Sequence, residues 1–83
     1  MKISIGIERF REQSTSALRA ESVEGARLDA SRVVMDEFRA NPEFGYELNW
    51  DDSQWATVNT AMAAAMDSAE AVAAEWWDSR YSL

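Results

Sequence analysis

The chain of 83 residues contains neither cysteine nor histidine. Without cysteine there are no disulfides, thiolate nucleophiles or thiolate-bound metals. Without histidine the commonest general base and the commonest zinc ligand are missing. No nucleophile–base motif, phosphate-binding loop or dinucleotide fingerprint is present, and the adjacent acids Asp51 and Asp52 have an alternative explanation in helix capping. We therefore expect a protein that is not an enzyme and that uses no cofactor and no metal.

Long apolar runs are also missing. No stretch reaches the roughly 18 apolar residues that a membrane-spanning helix needs, and the N-terminus lacks the basic-then-apolar pattern of a signal peptide. We expect a cytoplasmic protein without membrane contact, folded as one domain over residues 1–83. A domain of this size buries only roughly 60–65% of its unfolded surface, so a partner or a second copy would supplement its stability.

Basic residues are scarce in the second half of the chain. Residues 1–40 hold seven basic and seven acidic side chains, whereas residues 41–83 hold eight acids and only Arg80, so the whole net charge of −7 falls after Ala40. The net negative charge argues against direct nucleic-acid binding through a basic face. The charge distribution is the most informative feature of the sequence.

Apolar spacing predicts helices before the single proline. One helix is expected over about 7–21 and a second over about 22–40, with Gly25 as a bend or break. The alternative is one long helix that continues through Gly25. In either case Asn41-Pro42 ends the helix, because the residue before a proline avoids helical backbone angles.

Two short segments alternate apolar and polar residues in the manner of strands. The first is Ile3, Ile5 and Ile7, and the second runs from Phe44 to Trp50. Residues 3–7 and 43–49 could pair as a two-stranded β ribbon. The alternative for the second segment is an aromatic loop that covers the end of the helices.

The last helix has the clearest signals. Asp51 and Gln54 form a capping-box pattern, and no proline or glycine follows up to about Arg80. Its predicted apolar arc consists of Trp55, Val58, Met62, Ala65, Met66, Ala69, Val72, Ala73 and Trp76. The expected fold is therefore mainly α, with two or three helices packed on a long C-terminal helix.

The acidic second half has two interpretations. It is either a solvated surface or a negative surface that docks on a basic site of another protein. For the second interpretation the candidate contact residues are Glu43, Glu47, Asp52, Asp67, Glu70, Glu75, Asp78 and Trp77. Trp77 is included because Trp76 occupies the apolar arc, which places Trp77 at its edge beside Glu70. Neutralisation of these acids by the arginines of residues 1–40 would argue against a docking surface.

Leu28 and Met35 lie off the main apolar stripe of the second predicted helix. They are either buried by a third helix or available for self-association, which leaves the chain a monomer or a homodimer.

The acidic chain without cysteine or histidine, with aromatic residues among carboxylates in 43–52 and 70–78, resembles small phage-encoded inhibitors of bacterial defence. Anti-CRISPR and DNA-mimicking anti-restriction proteins are of this kind. The resemblance implies a stoichiometric inhibitor that binds a basic protein partner in the host cytoplasm, and it assigns no role to individual residues. A self-associating structural adaptor and an antitoxin or immunity protein are the alternative functions.

Overall fold

The protein is an antiparallel pair of long helices. The computed structural model describes the backbone of residues 2–81 and the side chains of residues 15–81. Helix α1 spans Lys2–Ala40, a single turn of 3-10 helix spans Glu47–Asn49, and helix α2 spans Asp52–Tyr81. The two α-helices pack along each other, and the hairpin measures 65 × 21 × 17 Å. The expectation of a mainly α protein with a long C-terminal helix is confirmed.

The break expected at Gly25 is absent. Helix α1 continues through this position, so the described part holds two α-helices, and a single helix packs on α2 where two or three were expected. A glycine inside a helix costs only about 1 kcal/mol, which the packing of the flanking turns on α2 outweighs. The alternative of one long helix is therefore the observed one.

The proposed β ribbon is also absent from residues 2–81. Ile3, Ile5 and Ile7 belong to the backbone of α1, and residues 43–49 form the connection between the helices. Three alternating isoleucines are too few to define a strand, and Ile3 and Ile7 fit helical spacing equally well. Gly45 has a φ of 71°, which interrupts any extended run in the second segment. The alternative of an aromatic loop is observed.

Both helix ends at the connection follow local sequence signals. Helix α1 stops immediately before Asn41-Pro42, and the Asn41 Oδ1 atom accepts a hydrogen bond from the Glu43 backbone N–H at 2.9 Å. The predicted capping box is confirmed. The Asp51 N–H donates to Gln54 Oε1 at 3.0 Å, and the Gln54 N–H donates to Asp51 Oδ1 at 2.8 Å.

The core between the helices is thin. Among the described side chains only three apolar residues are buried, namely Val23, Trp50 and Val58. The rest of the contact uses half-buried side chains, which include Ala26, Ala30, Val34, Phe38, Met62, Ala65, Met66, Ala69 and Ala73. Most are small, so the interface gains less from apolar burial than a leucine-rich one would. Over the described residues, neither helix has an apolar stretch long enough to cross a lipid bilayer.

Candidate protein-binding surface at the turn

Four aromatic side chains hold the connection against the ends of both helices. The ring of Phe44 lies 4.8 Å from that of Phe38 and 5.7 Å from that of Trp50, and Trp50 lies 4.9 Å from Trp55. The last two contacts are edge-on, the arrangement that the quadrupoles of aromatic rings favour. Trp50 is only 6% exposed. A continuous series of aromatic contacts therefore joins the connection to the ends of both helices.

Polar groups fix the backbone of the same segment. The Trp50 indole N–H donates to the Gly45 carbonyl at 3.2 Å, and the Gln54 side-chain amide donates to the Phe44 carbonyl at 2.9 Å. Arg39 donates two hydrogen bonds to the Glu47 carboxylate, at 2.9 and 3.3 Å. The carboxylate of Glu47 raises the pKa of Arg39 above its usual value, mainly through this hydrogen bond. A connection tied by so many contacts has little freedom to rearrange.

Two large side chains point away from this rigid segment. Tyr46 is 82% exposed and Leu48 is 97% exposed, whereas their neighbours in the alternating run, Phe44 and Trp50, face inward. Neither Tyr46 nor Leu48 was among the predicted contact residues. The alternation in the sequence could not have found them, because strand periodicity places Phe44, Tyr46, Leu48 and Trp50 on one face, and it is the turn at Gly45 that separates them.

The predicted acidic contact residues are spread along the hairpin. Glu43, Glu47 and Asp52 lie at the turn, where Glu43 and Asp52 are exposed. Asp67 and Glu70 lie halfway along α2, and Glu75, Trp77 and Asp78 lie near its end. From Asp52 to Asp78 the helix rises about 39 Å at 1.5 Å per residue. The structure therefore divides the predicted contact residues into three groups along the hairpin and does not unite them in one patch. The name turn surface is given to the four exposed residues at the turn end of the hairpin, Glu43, Tyr46, Leu48 and Asp52.

Arginines of α1 neutralise the acids farther along α2. The Arg27 guanidinium lies 2.7 Å from Glu70 and 3.4 Å from Asp67. Arg19 donates to both carboxylate oxygens of Asp78, at 2.8 and 3.1 Å. This hydrogen bond holds the pKa of Asp78 below its usual value of 3.8. These pairs link the two helices along the part of the hairpin away from the turn.

Four of the eight acids in the second half are thus paired with arginines of residues 1–40: Glu47, Asp67, Glu70 and Asp78. The other four make no ion pair with another residue in the part whose side chains are described: Glu43, Asp51, Asp52 and Glu75. Much of the charge difference between the halves is therefore internal complementarity. The two helices attract each other electrostatically, although solvent screening keeps the contribution of each exposed pair to stability small.

The two adjacent tryptophans have exchanged their expected roles. Trp76 is 48% exposed and carries the Arg80 guanidinium 5.0 Å from its ring centre. Trp77 is half-buried, with the ring of Tyr81 at 4.5 Å. The Trp77 indole N–H is buried and has no hydrogen-bond partner in the described part of the chain. Trp77 is therefore less available to a partner than Trp76.

Leu28 and Met35 are not enclosed by a third helix. Leu28 is 44% exposed. Met35 is half-buried and lines a shallow groove on α1 together with charged residues, among them Arg32 and Asp36. The two-sided burial of this strip is therefore not observed within residues 15–81. Its use in self-association stays a prediction.

The described residues offer no metal site, because no three carboxylates among them lie close enough together to share an ion. Comparisons with protein-family models, curated proteins and solved structures found no match to this chain.

Proposed function

We propose that the chain is a protein-binding inhibitor that docks its turn surface on a target site with an apolar pocket and a basic rim. Tyr46 and Leu48 enter the pocket, and Glu43 and Asp52 face the basic groups. The observation that carries this proposal is the 82% and 97% exposure of Tyr46 and Leu48 on a backbone held by aromatic packing and hydrogen bonds.

Rigidity is what makes these two side chains suitable as anchors. Apolar and aromatic residues at the centre of an interface supply most of the binding free energy when they enter a desolvated pocket. A segment that is already ordered loses little conformational entropy on binding. An exposed leucine and tyrosine on a mobile loop would lack this advantage.

The charges at the turn support a basic rim on the target. Glu43 and Asp52 are exposed and have no ion-pair partner among the described side chains, whereas Glu47 is engaged by Arg39. Carboxylates in this position accelerate association with a positive surface and make it sensitive to salt. Sites that bind nucleic acid are basic in this way. We therefore propose a nucleic-acid-handling complex as the target, in line with the resemblance to phage-encoded inhibitors.

Affinity capture with matched variants tests the proposal. The purified chain is immobilised and exposed to bacterial lysate at low salt, in parallel with Tyr46→Ser/Leu48→Ser, Glu43→Lys/Asp52→Lys and the control Leu28→Ser. We expect a nucleic-acid-binding protein to be retained by the wild type and the control. The first double variant should lose it, and the second should bind it at least about 10-fold more weakly, because removed anchors and reversed charges each cost binding free energy.

The control separates loss of binding from loss of folding. Leu28 lies on α1 and is exposed, so Leu28→Ser removes apolar surface without touching the turn. Circular dichroism of all four proteins should show equal helix content. Retention of the same proteins by the wild type and by Tyr46→Ser/Leu48→Ser would show that the turn surface is not the docking site.

A further inference from the structure

Although the Arg80 guanidinium lies over the Trp76 ring at 5.0 Å, one face of the hairpin presents exposed apolar side chains within residues 15–81. It is called the open face here and is formed by Leu18, Ala26, Val33, Ala69, Val72 and Trp76. A shallow groove along it is lined by Ser22 and Ala26 of α1 and by Ala69, Val72 and Trp76 of α2, none of which is charged. Val33 lies seven residues after Ala26 and Leu18 four residues before Ser22, so both continue the same side of α1.

The open face contains side chains that helical spacing assigns to a core. Val72 and Trp76 fall on the predicted apolar arc of the last helix, yet they are 68% and 48% exposed, and Val33 of α1 is 57% exposed. The two helices of one chain bury only one side of each stripe. Each helix therefore has an apolar stripe that is wider than one partner helix can cover. Such wide stripes are typical of helices with two neighbours, as in a four-helix bundle.

The solvent-accessible surface of the chain is larger than that of a compact monomer of the same mass. The chain exposes 6606 Å², whereas a compact monomer of 9.4 kDa exposes only about 5000 Å² by the usual scaling of surface with mass. The single layer of two helices and the greater length of α1 than of α2 both contribute to this excess. It amounts to about 1600 Å² per chain, which lies within the roughly 1000–2500 Å² per subunit that obligate dimer interfaces bury.

From these observations we infer that the open face binds a second copy of this chain, and that two hairpins form a four-helix bundle. A twofold interface brings the same patch of both copies together, so each charge at its edge must meet an opposite one. The α1 side of the open face includes one such charge, Asp29, which lies between Ala26 and Val33 and has Arg32 as a neighbour at 3.8 Å. Both are exposed, and in a twofold pair each can face the other residue of the second copy.

The small residues of the open face also fit this occupant. Ala26 and Ala69 let a second hairpin approach closely, while Val72 and Trp76 are large enough to fill the space between the layers. The turn surface is at the end of the hairpin and stays accessible in such a dimer. The inference therefore does not depend on the proposed function.

Sedimentation equilibrium of the purified chain over a range of concentrations tests the inference. We expect a dimer, and we expect Val72→Glu to raise its dissociation constant at least about 100-fold, because a carboxylate would be buried without a partner. Val72→Ala should raise it about 10-fold and covers the case in which the glutamate variant does not fold. Two controls, Leu48→Glu and Leu28→Glu, should leave the dissociation constant within about 2-fold of the wild type, since exposed sites outside an interface contribute little.

Salt provides an independent readout. Each chain carries a net charge of −7, so screening should reduce the repulsion between copies and strengthen the dimer. Binding through the turn surface should respond in the opposite direction. A strict monomer at every concentration overturns the inference. A dimer that Leu28→Glu dissociates and Val72→Glu does not also overturns it, because the second copy would then use another face.

Discussion

The turn end of the hairpin, from Phe38 to Trp55, differs in its packing from the paired remainder of α1 and α2, which is called the shaft here. At the turn, rings of Phe38, Phe44, Trp50 and Trp55 pack in sequence and the capping box closes the start of α2. Along the shaft the helices meet through buried Val23, alanines and half-buried methionines, and cross-helix ion pairs flank the contact. A second aromatic group, Trp76, Trp77 and Tyr81, lies near the end of α2. Aromatic burial is worth more free energy than alanine contacts or exposed ion pairs.

This difference indicates that the single chain is stabilised mainly from one end. A domain of 83 residues has a total unfolding free energy of about 4–12 kcal/mol. The turn end supplies a large share of it, while the shaft keeps apolar surface exposed that a second copy can cover. Substitutions that weaken each region separately can test this division.

The largest effect is expected from Trp50→Ala. Trp50 is 6% exposed, contacts two other aromatic rings and donates to the Gly45 carbonyl. Its removal leaves a cavity and should cost about 3–5 kcal/mol, which approaches the whole stability of the chain. Urea unfolding followed by circular dichroism measures the loss. The control Leu48→Ala, at a 97% exposed site, should change stability by no more than about 0.5 kcal/mol. Equal losses in the two variants would contradict the division.

Effects of medium size are expected from alanine substitutions of Gly45 and Gly25, and the two substitutions should change stability in opposite directions. Gly45 has a φ of 71°, so Gly45→Ala should destabilise the turn by about 1–2 kcal/mol through backbone strain alone, since a Cβ there would meet nothing within 4 Å. Gly25→Ala also meets nothing within 4 Å but lies inside α1. It should stabilise the shaft by about 0.5–1 kcal/mol. Thermal unfolding of both variants under identical conditions measures the difference, and stabilisation by Gly45→Ala would show that the turn is not held as described.

The smallest effect concerns the ion pairs of the shaft. Arg19 lowers the pKa of Asp78, so this pair stabilises the folded chain above the ordinary aspartate value of 3.8. Its contribution is lost as the pH falls through the lowered pKa, because the protonated carboxyl no longer attracts Arg19. The melting temperatures of wild type and Asp78→Asn should differ slightly at pH 7 and converge once the pH has fallen below the lowered pKa of Asp78. A difference that persists undiminished in stronger acid would exclude the pair as its cause.

Local signals in the sequence predict the ends of the helices at the turn. Proline at position 42 stops α1, and the reciprocal pattern of Asp51 and Gln54 starts α2, because both act within one helical turn. The continuity of α1 through Gly25 could not be predicted in this way. A glycine costs a helix only about 1 kcal/mol, so contacts with residues some forty positions away determine whether the helix continues through it.

The charge distribution was the feature most open to misinterpretation. The acids after Ala40 give the second half its negative charge, but a sequence does not show that Arg27 reaches Glu70 across the hairpin. The sequence also does not show that the side of α2 facing α1 shifts from Trp76 to Trp77 near the end of the helix. Buried positions there follow a spacing close to four, with Ala69, Ala73 and Trp77 inward, so the apolar arc drifts away from Trp76.

The short connection between Ala40 and Asp52 also has a consequence for how the chain folds. Contacts near this connection, such as Trp50 with Trp55 and Trp50 with Gly45, close the smallest loops and lose the least chain entropy. We therefore expect the helices to associate first beside Trp50 and to zip together toward the opposite end. That end, around Arg19 and Asp78, would be the last to form and the first to fray.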